Sequence, residues 1–237
     1  LLVLGIAYRR RFNRSFWVKP VAWLFYGVFA VAAMCYAPRH IPVKLERFEP
    51  TLPAPQAMDM QAWWQHDWVQ LPARRNEFDD DQRWPLDVQV AGPLAPLQAQ
   101  LEARGWTVQA QAGWEEALLM LDKNTGADEL PVLPATLETR VEALLMVRPG
   151  THRDERYVLR LWPAPAQLQP GNTPLWLGSA QTLRYERHFE WIGMWHPLRG
   201  VDPALNAVKD AVQDLPQRED VHSETGLPVL RLKTTTP

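Results

Sequence analysis

Histidines and carboxylates cluster at a few points along the chain, and each cluster asks for a different chemistry. His188 and His196 stand eight residues apart. In one continuous strand they would share a face but lie about 27 Å apart, too far for a shared metal; only a sharp turn between them changes that. His152, Asp154 and Glu155 fall in a polar stretch with turn residues, which reads either as a ligand cluster or as the solvated tip of a hairpin. The run Asp79, Asp80, Asp81 could attract a hard cation, but such sites need further oxygens at defined spacings, and a solvated loop accounts for the run as well.

Nucleophilic and phosphate chemistry find little to work with. The chain has no Gly-rich loop ending in Lys-Ser/Thr and no His-Glu-x-x-His. Ser179, in Leu177-Gly-Ser-Ala180, lacks the second glycine of a nucleophile elbow, and a small residue in a packed strand is the alternative role. Trp63, Trp64 and Trp68 form either a sugar-stacking platform or a wedge of the core. No catalytic residue, cofactor or metal is assigned on these grounds.

The elements that must position these groups can be read from periodicity. Asp59 is a good N-cap for a helix over residues 60–68. Leu86, Val88 and Val90 alternate with polar residues, as a half-buried strand does. Pro93 opens a helix with Leu94, Leu97 and Leu101 on one stripe, Gly105 closes it, and residues 106–109 read as a strand followed by a second helix over 114–122. Residues 140–147 and 156–162 read as two strands of a hairpin. A proline-rich loop over 163–174 leads to a strand at 175–181 and a long strand-like stretch through Tyr185, Phe189 and Trp191. Asp202-Pro203 starts a helix continued by Leu205, Val208, Val212 and Leu215, and residues 227–232 form a last strand. The expected architecture is one α+β domain over residues 58–232, with a mixed or antiparallel sheet and several short helices. Residues 233–237 are a frayed tail.

The front end predicts a different environment. An apolar run over residues 1–8 precedes Arg9, Arg10, Arg11, Arg14 and Lys19, and a second apolar run covers 21–37. Residues 1–15 read as the end of one transmembrane helix and a basic loop, residues 16–37 as a complete second one. That helix is about 33 Å long, and its aromatics Phe16, Trp17, Trp23 and Tyr36 sit near its ends. Five basic residues before Val21, against Arg39, Lys44 and Arg47 after it, favour a cytoplasmic basic loop and an exported remainder. Residues 38–57, rich in proline, read as a tether.

Removing the five basic residues before Val21 from the chain's 25 basic and 27 acidic residues leaves the remainder at a net charge of −7. That argues against nucleic acid as a partner. The only cysteine, Cys35, lies in the predicted membrane helix, so no disulfide staples the rest of the chain and no Cys-based zinc site exists there. Such a domain relies on its core, in keeping with ten tryptophans beyond residue 37 and with a bacterial envelope.

At Tyr157-Val-Leu-Arg-Leu-Trp162 and Pro174-Leu-Trp-Leu-Gly-Ser-Ala180 the chain resembles the LssY C-terminal domain family. That family has an Arg-Leu-Trp strand and, after a proline-containing loop, a Val/Leu-Trp-Val/Leu-Gly strand. Trp63-Trp64, Leu71-Pro72, Gly105-Trp106, Leu130-Pro-Val-Leu-Pro134 and Val147-Arg-Pro149 agree in order, so the resemblance spans residues 58–232. It departs where relatives carry His-Ile-Asp and an acidic-Arg segment; here the residues are Trp195-His-Pro-Leu198 and Val201-Asp-Pro203.

The resemblance implies fusion behind a membrane phosphatase of the phosphatidic acid phosphatase type 2 class, sometimes with a DedA-like domain. The phosphatase signatures are absent from these residues, so that chemistry is expected upstream of Leu1. The expected function is an envelope-facing accessory domain of a lipid phosphate phosphatase, binding a ligand or partner or positioning the enzyme. Arg160, Trp162, Trp176, His188 and His196 are the candidate binding residues. The expected partners are the bilayer through residues 16–37, the upstream phosphatase domain, and an envelope lipid, glycan or protein. The expected location is the bacterial inner membrane, with this domain on the periplasmic side. The alternatives are a hydrolase of unrecognised type, using His188 or His196 with carboxylates, and a purely structural interaction module.

Overall fold

The computed structural model describes residues 18–45, 54–76, 83–110, 112–113, 116, 119–122, 125–138, 140–188, 192–198 and 203–234. Two units form, Leu1–Thr51 and Leu52–Pro237. The first contains helix α1 (Val18–Leu45). Among the described residues no helix is long and apolar enough to cross a membrane, and the transmembrane helix expected over 16–37 is corrected accordingly. The helix also continues through Pro38 and Pro42, where a tether was expected.

The second unit begins with β1 (Gln56–Asp59) and α2 (Met60–Gln65), whose N-cap Asp59 accepts from the backbone N–H groups of Gln61 and Ala62 at 2.9 and 2.8 Å. A 3-10 turn (Asp67–Gln70), a hairpin of β2 (Arg74–Asn76) and β3 (Arg83–Pro85), then β4 (Val88–Ala91) and α3 (Leu94–Ala103) follow. Gly105, at φ 82°, closes α3 as its sequence position suggested. Next come β5 (Thr107–Val108), β6 (Thr136–Leu137), β7 (Arg140–Val141) and β8 (Leu144–Pro149). Of the helix expected over 114–122, the described residues show Glu116 in helix and a 3-10 turn at Leu119–Leu121. The long strands β9 (Glu155–Gln169) and β10 (Thr173–His188) precede β11 (Ile192–Pro197), α4 (Pro203–Ala211), β12 (Gln217–Val221) and β13 (Pro228–Lys233).

The main sheet runs β12-β13-β4-β10-β9-β8-β5, with β11 added to β10 and β1 to β9. It is mixed: β13 with β4 and β1 with β9 are parallel, the other pairs antiparallel. The α+β domain with a large mixed sheet is therefore present. The loop expected over 163–174 is instead mostly strand. Pro163 and Pro165 lie where β9 changes its outer partner from β8 to β1, so proline's missing N–H falls at a gap in the ladder. Residues 233 and 234, expected in a frayed tail, are ordered: Lys233 ends β13, and Thr234 Oγ1 donates to Pro93 O at 2.7 Å.

Strand alternation sorts the core into two faces. Val88, Val90, Leu159, Leu161, Ala180, Leu230 and Leu232 meet α3 and α4 through Leu97, Leu101, Leu205 and Val208. The opposite face carries Trp63, Trp68, Trp162, Leu168 and Leu177 in one cluster and Val132, Leu145, Val158 and Leu183 in another. Trp63 and Trp68 are thus a wedge of the core. Between α2 and β13 lies the fully buried Arg231, which donates to Asp220 and to the carbonyl of Trp64, with its guanidinium 4.7 Å from the Trp68 ring centre. Burial, then the neighbouring Arg218, pushes its pKa down to about 10.

Gly178, the glycine of the Leu-Trp-Leu-Gly block, sits where β10 is flanked by β4 and β9. A Cβ there would lie 2.5 Å from Leu161 Cδ2, 2.9 Å from Arg160 O and 3.2 Å from Val88 Cβ. Gly178→Ala is therefore expected to destabilise the domain by about 1–3 kcal/mol in urea unfolding. Gly126→Ala, with nothing within 4 Å of its Cβ, is expected to stay within about 0.5 kcal/mol of the parent.

Candidate functional site

On the sheet face away from α3 and α4, residues 127–135 cross the strands as a strap containing Pro131 and Pro134. Because proline carries no N–H, the strap presents more acceptors than donors. The face of β9 beneath it supplies the donors. Arg156 bonds to the carbonyls of Ala127, Asp128 and Leu130 at 3.1, 2.8 and 3.0 Å. Four residues on, Arg160 Nη2 donates to Leu133 O at 2.9 Å, and Trp162 Nε1 donates to Ala135 O at 3.0 Å. Trp195 of β11 adds a bond to Leu130 O at 3.1 Å, its ring 4.6 Å from the Arg156 guanidinium. Two of the strap's N–H groups are taken by side-chain carboxyl and amide oxygens: Val132 donates to Gln109 Oε1 at 3.1 Å and Ala135 to Glu142 Oε1.

Arg160 is also ion-paired with Glu142 at 2.5 Å, and both side chains are almost wholly buried. Arg156 is held below the usual arginine range by burial, which Asp128 partly opposes. The turn after β8 is the expected hairpin tip. There Glu155 is buried and accepts from Arg184 at 2.7 Å, and Asp154 lies 3.7 Å from Arg184. The Arg184 pKa is raised, chiefly by its hydrogen bond to Glu155, against desolvation and with smaller help from the charges of Glu155, Asp154 and Glu186.

Between strap, β2–β3 hairpin and β11 a cleft of about 510 Å³ opens over β9 and β10. Its walls include Trp84, Leu183 and Trp195, with Arg75, Arg160, Gln181 and His196 as the polar groups. Arg75 and Arg160 are each about 6% exposed, and the Arg75 guanidinium lies 5.6 Å from the Trp162 ring centre. Two buried donors lining the cleft, Gln181 Nε2 and Trp84 Nε1, have no hydrogen-bond partner among the described residues. Neither residue stood out in the sequence; Gln181 follows the Leu-Trp-Leu-Gly-Ser-Ala block by one position, and that adjacency was the available signal.

The candidate residues separate. Arg160 lies at the cleft, and Trp162, fully buried beside it, is tied to the strap. Trp176 points to the helix face of the sheet, where its Nε1 donates to Gly92 O at 2.8 Å. His188 and His196 meet. β10 and β11 pair antiparallel, which supplies the reversal that a single long strand lacked, and the two Nε2 atoms are 2.9 Å apart. Phe189 and Trp191, and the aspartates at 79–81, lie outside the described residues. Ser179 is buried opposite Arg160 in the β9–β10 register, as a small residue in a packed strand.

These contacts make Arg160 a positioning residue for the strap. Arg160→Ala leaves Glu142 buried without its cation and is expected to cost about 3–5 kcal/mol in denaturant unfolding. Arg160→Lys is expected to recover only part of that, because one ammonium cannot reach both Glu142 and Leu133 O as the fork does.

No curated protein matches the chain, and no solved structure does. The LssY C-terminus family matches residues 68–221, a span containing the strap, the cleft, β9 and β10. With most of its length matched, and with the Arg-Leu-Trp and Leu-Trp-Leu-Gly blocks seated in adjacent strands, the chain belongs to the LssY C-terminus family.

Proposed function

We propose that this domain is an accessory ligand-binding module of a lipid phosphate phosphatase, and that its cleft takes an amphiphile with an anionic headgroup. The observation that carries the reading is the composition of the cleft. Apolar walls from Trp84, Leu183 and Trp195 enclose a floor with two guanidinium groups and the unpartnered donor Gln181 Nε2. Ligand sites combine apolar area with a few placed polar groups in this way, and a buried donor without a partner is a standing penalty that an acceptor oxygen relieves. The tie to a phosphatase rests on the family resemblance.

Decyl phosphate is a suitable probe, because Trp84 and Trp195 report occupancy by fluorescence. Saturable quenching is expected, weakened about tenfold by Gln181→Leu, the equivalent of about 1.4 kcal/mol for one hydrogen bond. A folded chain that shows no saturable response to decyl phosphate or decanoate overturns the reading. A second reading, a hydrolase, is favoured by His196, which lines the cleft while contacting His188. Release of inorganic phosphate from decyl phosphate by the purified chain, abolished by His196→Ala, would select it.

A further inference from the structure

We propose that Glu186, His188 and His196 form a site for a first-row divalent transition metal, of which zinc is the natural candidate, at the mouth of the cleft. One ligand atom from each of the three lies within 4.8 Å of the others. The His188 and His196 Nε2 atoms are 2.9 Å apart, and Glu186 Oε2 is 3.9 Å from His188 Nε2. Two imidazoles on a tetrahedral zinc, at about 2.0–2.1 Å each, stand about 3.3 Å apart, so the pair needs to open by only a few tenths of an ångström. A hydrogen bond between the imidazoles accounts for their own contact. It does not account for the carboxylate, which is beyond hydrogen-bond distance yet close enough to be a third ligand.

Two arginines flank the site, and their partners are known. Arg184, on the same strand face as Glu186 and His188, is tied to Glu155 and lies near Asp154. Arg187, between the two candidate ligands in sequence, bonds to Tyr185 Oη and to Thr125 O. Arg184 also acts on Glu186 through its charge, but Glu186 makes no ion pair with an arginine or lysine among the described residues and is half exposed. Two imidazoles and one carboxylate suit zinc, and three protein ligands leave one tetrahedral position open. His196 also lines the cleft, so that open position belongs to its rim.

The proposal is independent of the ligand assigned to the cleft, and metal binding tests it directly. Zinc titrated calorimetrically into the metal-free full chain is expected to bind with a stoichiometry of one. His188→Ala and His196→Ala should each weaken it at least about tenfold. Glu186→Gln should weaken it less, and His66→Ala should leave it unchanged. Cobalt should give the visible absorption bands of a tetrahedral nitrogen and oxygen site, lost in His196→Ala. Should a variant fail to fold, nitrogen-15 spectra of the unsubstituted chain decide: cobalt must broaden the His188 and His196 imidazole signals first. Absence of zinc binding, binding unaltered in His188→Ala and His196→Ala, or first broadening at another histidine would overturn the site.

Discussion

A donor-rich strand face lies beneath an acceptor-rich strap, and the geometry of the cleft follows from that match. Residues 127–135 cannot join a ladder, because two prolines interrupt their N–H groups, yet their carbonyls are shielded by the sheet. Each buried carbonyl left without a donor costs on the order of 1–3 kcal/mol. Arg156, Arg160 and Trp162 all point to the strap side of β9 because strand residues an even number apart share a face. Between them they supply five bonds along the strap. The Arg-Leu-Trp and Leu-Pro-Val-Leu-Pro blocks, separated in sequence, are thus two halves of one interaction.

That match is expensive to arrange, since two arginines lose water in forming it. Glu142 offsets the cost at Arg160, where a carboxylate and a carbonyl together occupy the guanidinium fork. At Arg156 the ring of Trp195 takes a comparable place, and burial still lowers the pKa. Because β11 carries Trp195 one residue before His196, the contact that seats the strap also sets where β11 runs. The histidine pair is fixed by the same packing that shapes the cleft wall.

How much of this was legible depended on the range of the interaction. Asp59 capping α2, the alternation in β4, the stripe of Leu97 and Leu101 and the start of α4 are local, and the residues themselves determine them. The role of Arg160 was half legible: an arginine between Leu159 and Leu161 must face away from them, but whether it meets solvent or a carboxylate depends on Glu142, eighteen residues earlier. The approach of His188 to His196 was hidden because periodicity describes a strand and does not say where it reverses. Pro163 and Pro165 misled for the converse reason, since proline is excluded from a ladder only where its N–H is needed. The reading of residues 16–37 as a membrane span does not stand, because among the described residues no helix is long and apolar enough to cross a membrane.

The sheet also explains why a cleft persists on this face. Toward α3 and α4, successive strands present valine, leucine and alanine, and two helices close over them. On the opposite face the row Arg160, Ser179 and Gln181 interrupts the apolar surface, dividing one tryptophan-rich cluster from a smaller one around Val158 and Leu183. A helix laid across that row would bury an arginine and a glutamine against carbon, at a cost of several kcal/mol for the charge alone. The strap's carbonyls meet the arginine, but none of them reaches the amide of Gln181, which is buried without a partner among the described residues. The space left between strap, hairpin and β11 is therefore a consequence of the polar row itself, and Gln181 marks where its hydrogen bonding is incomplete.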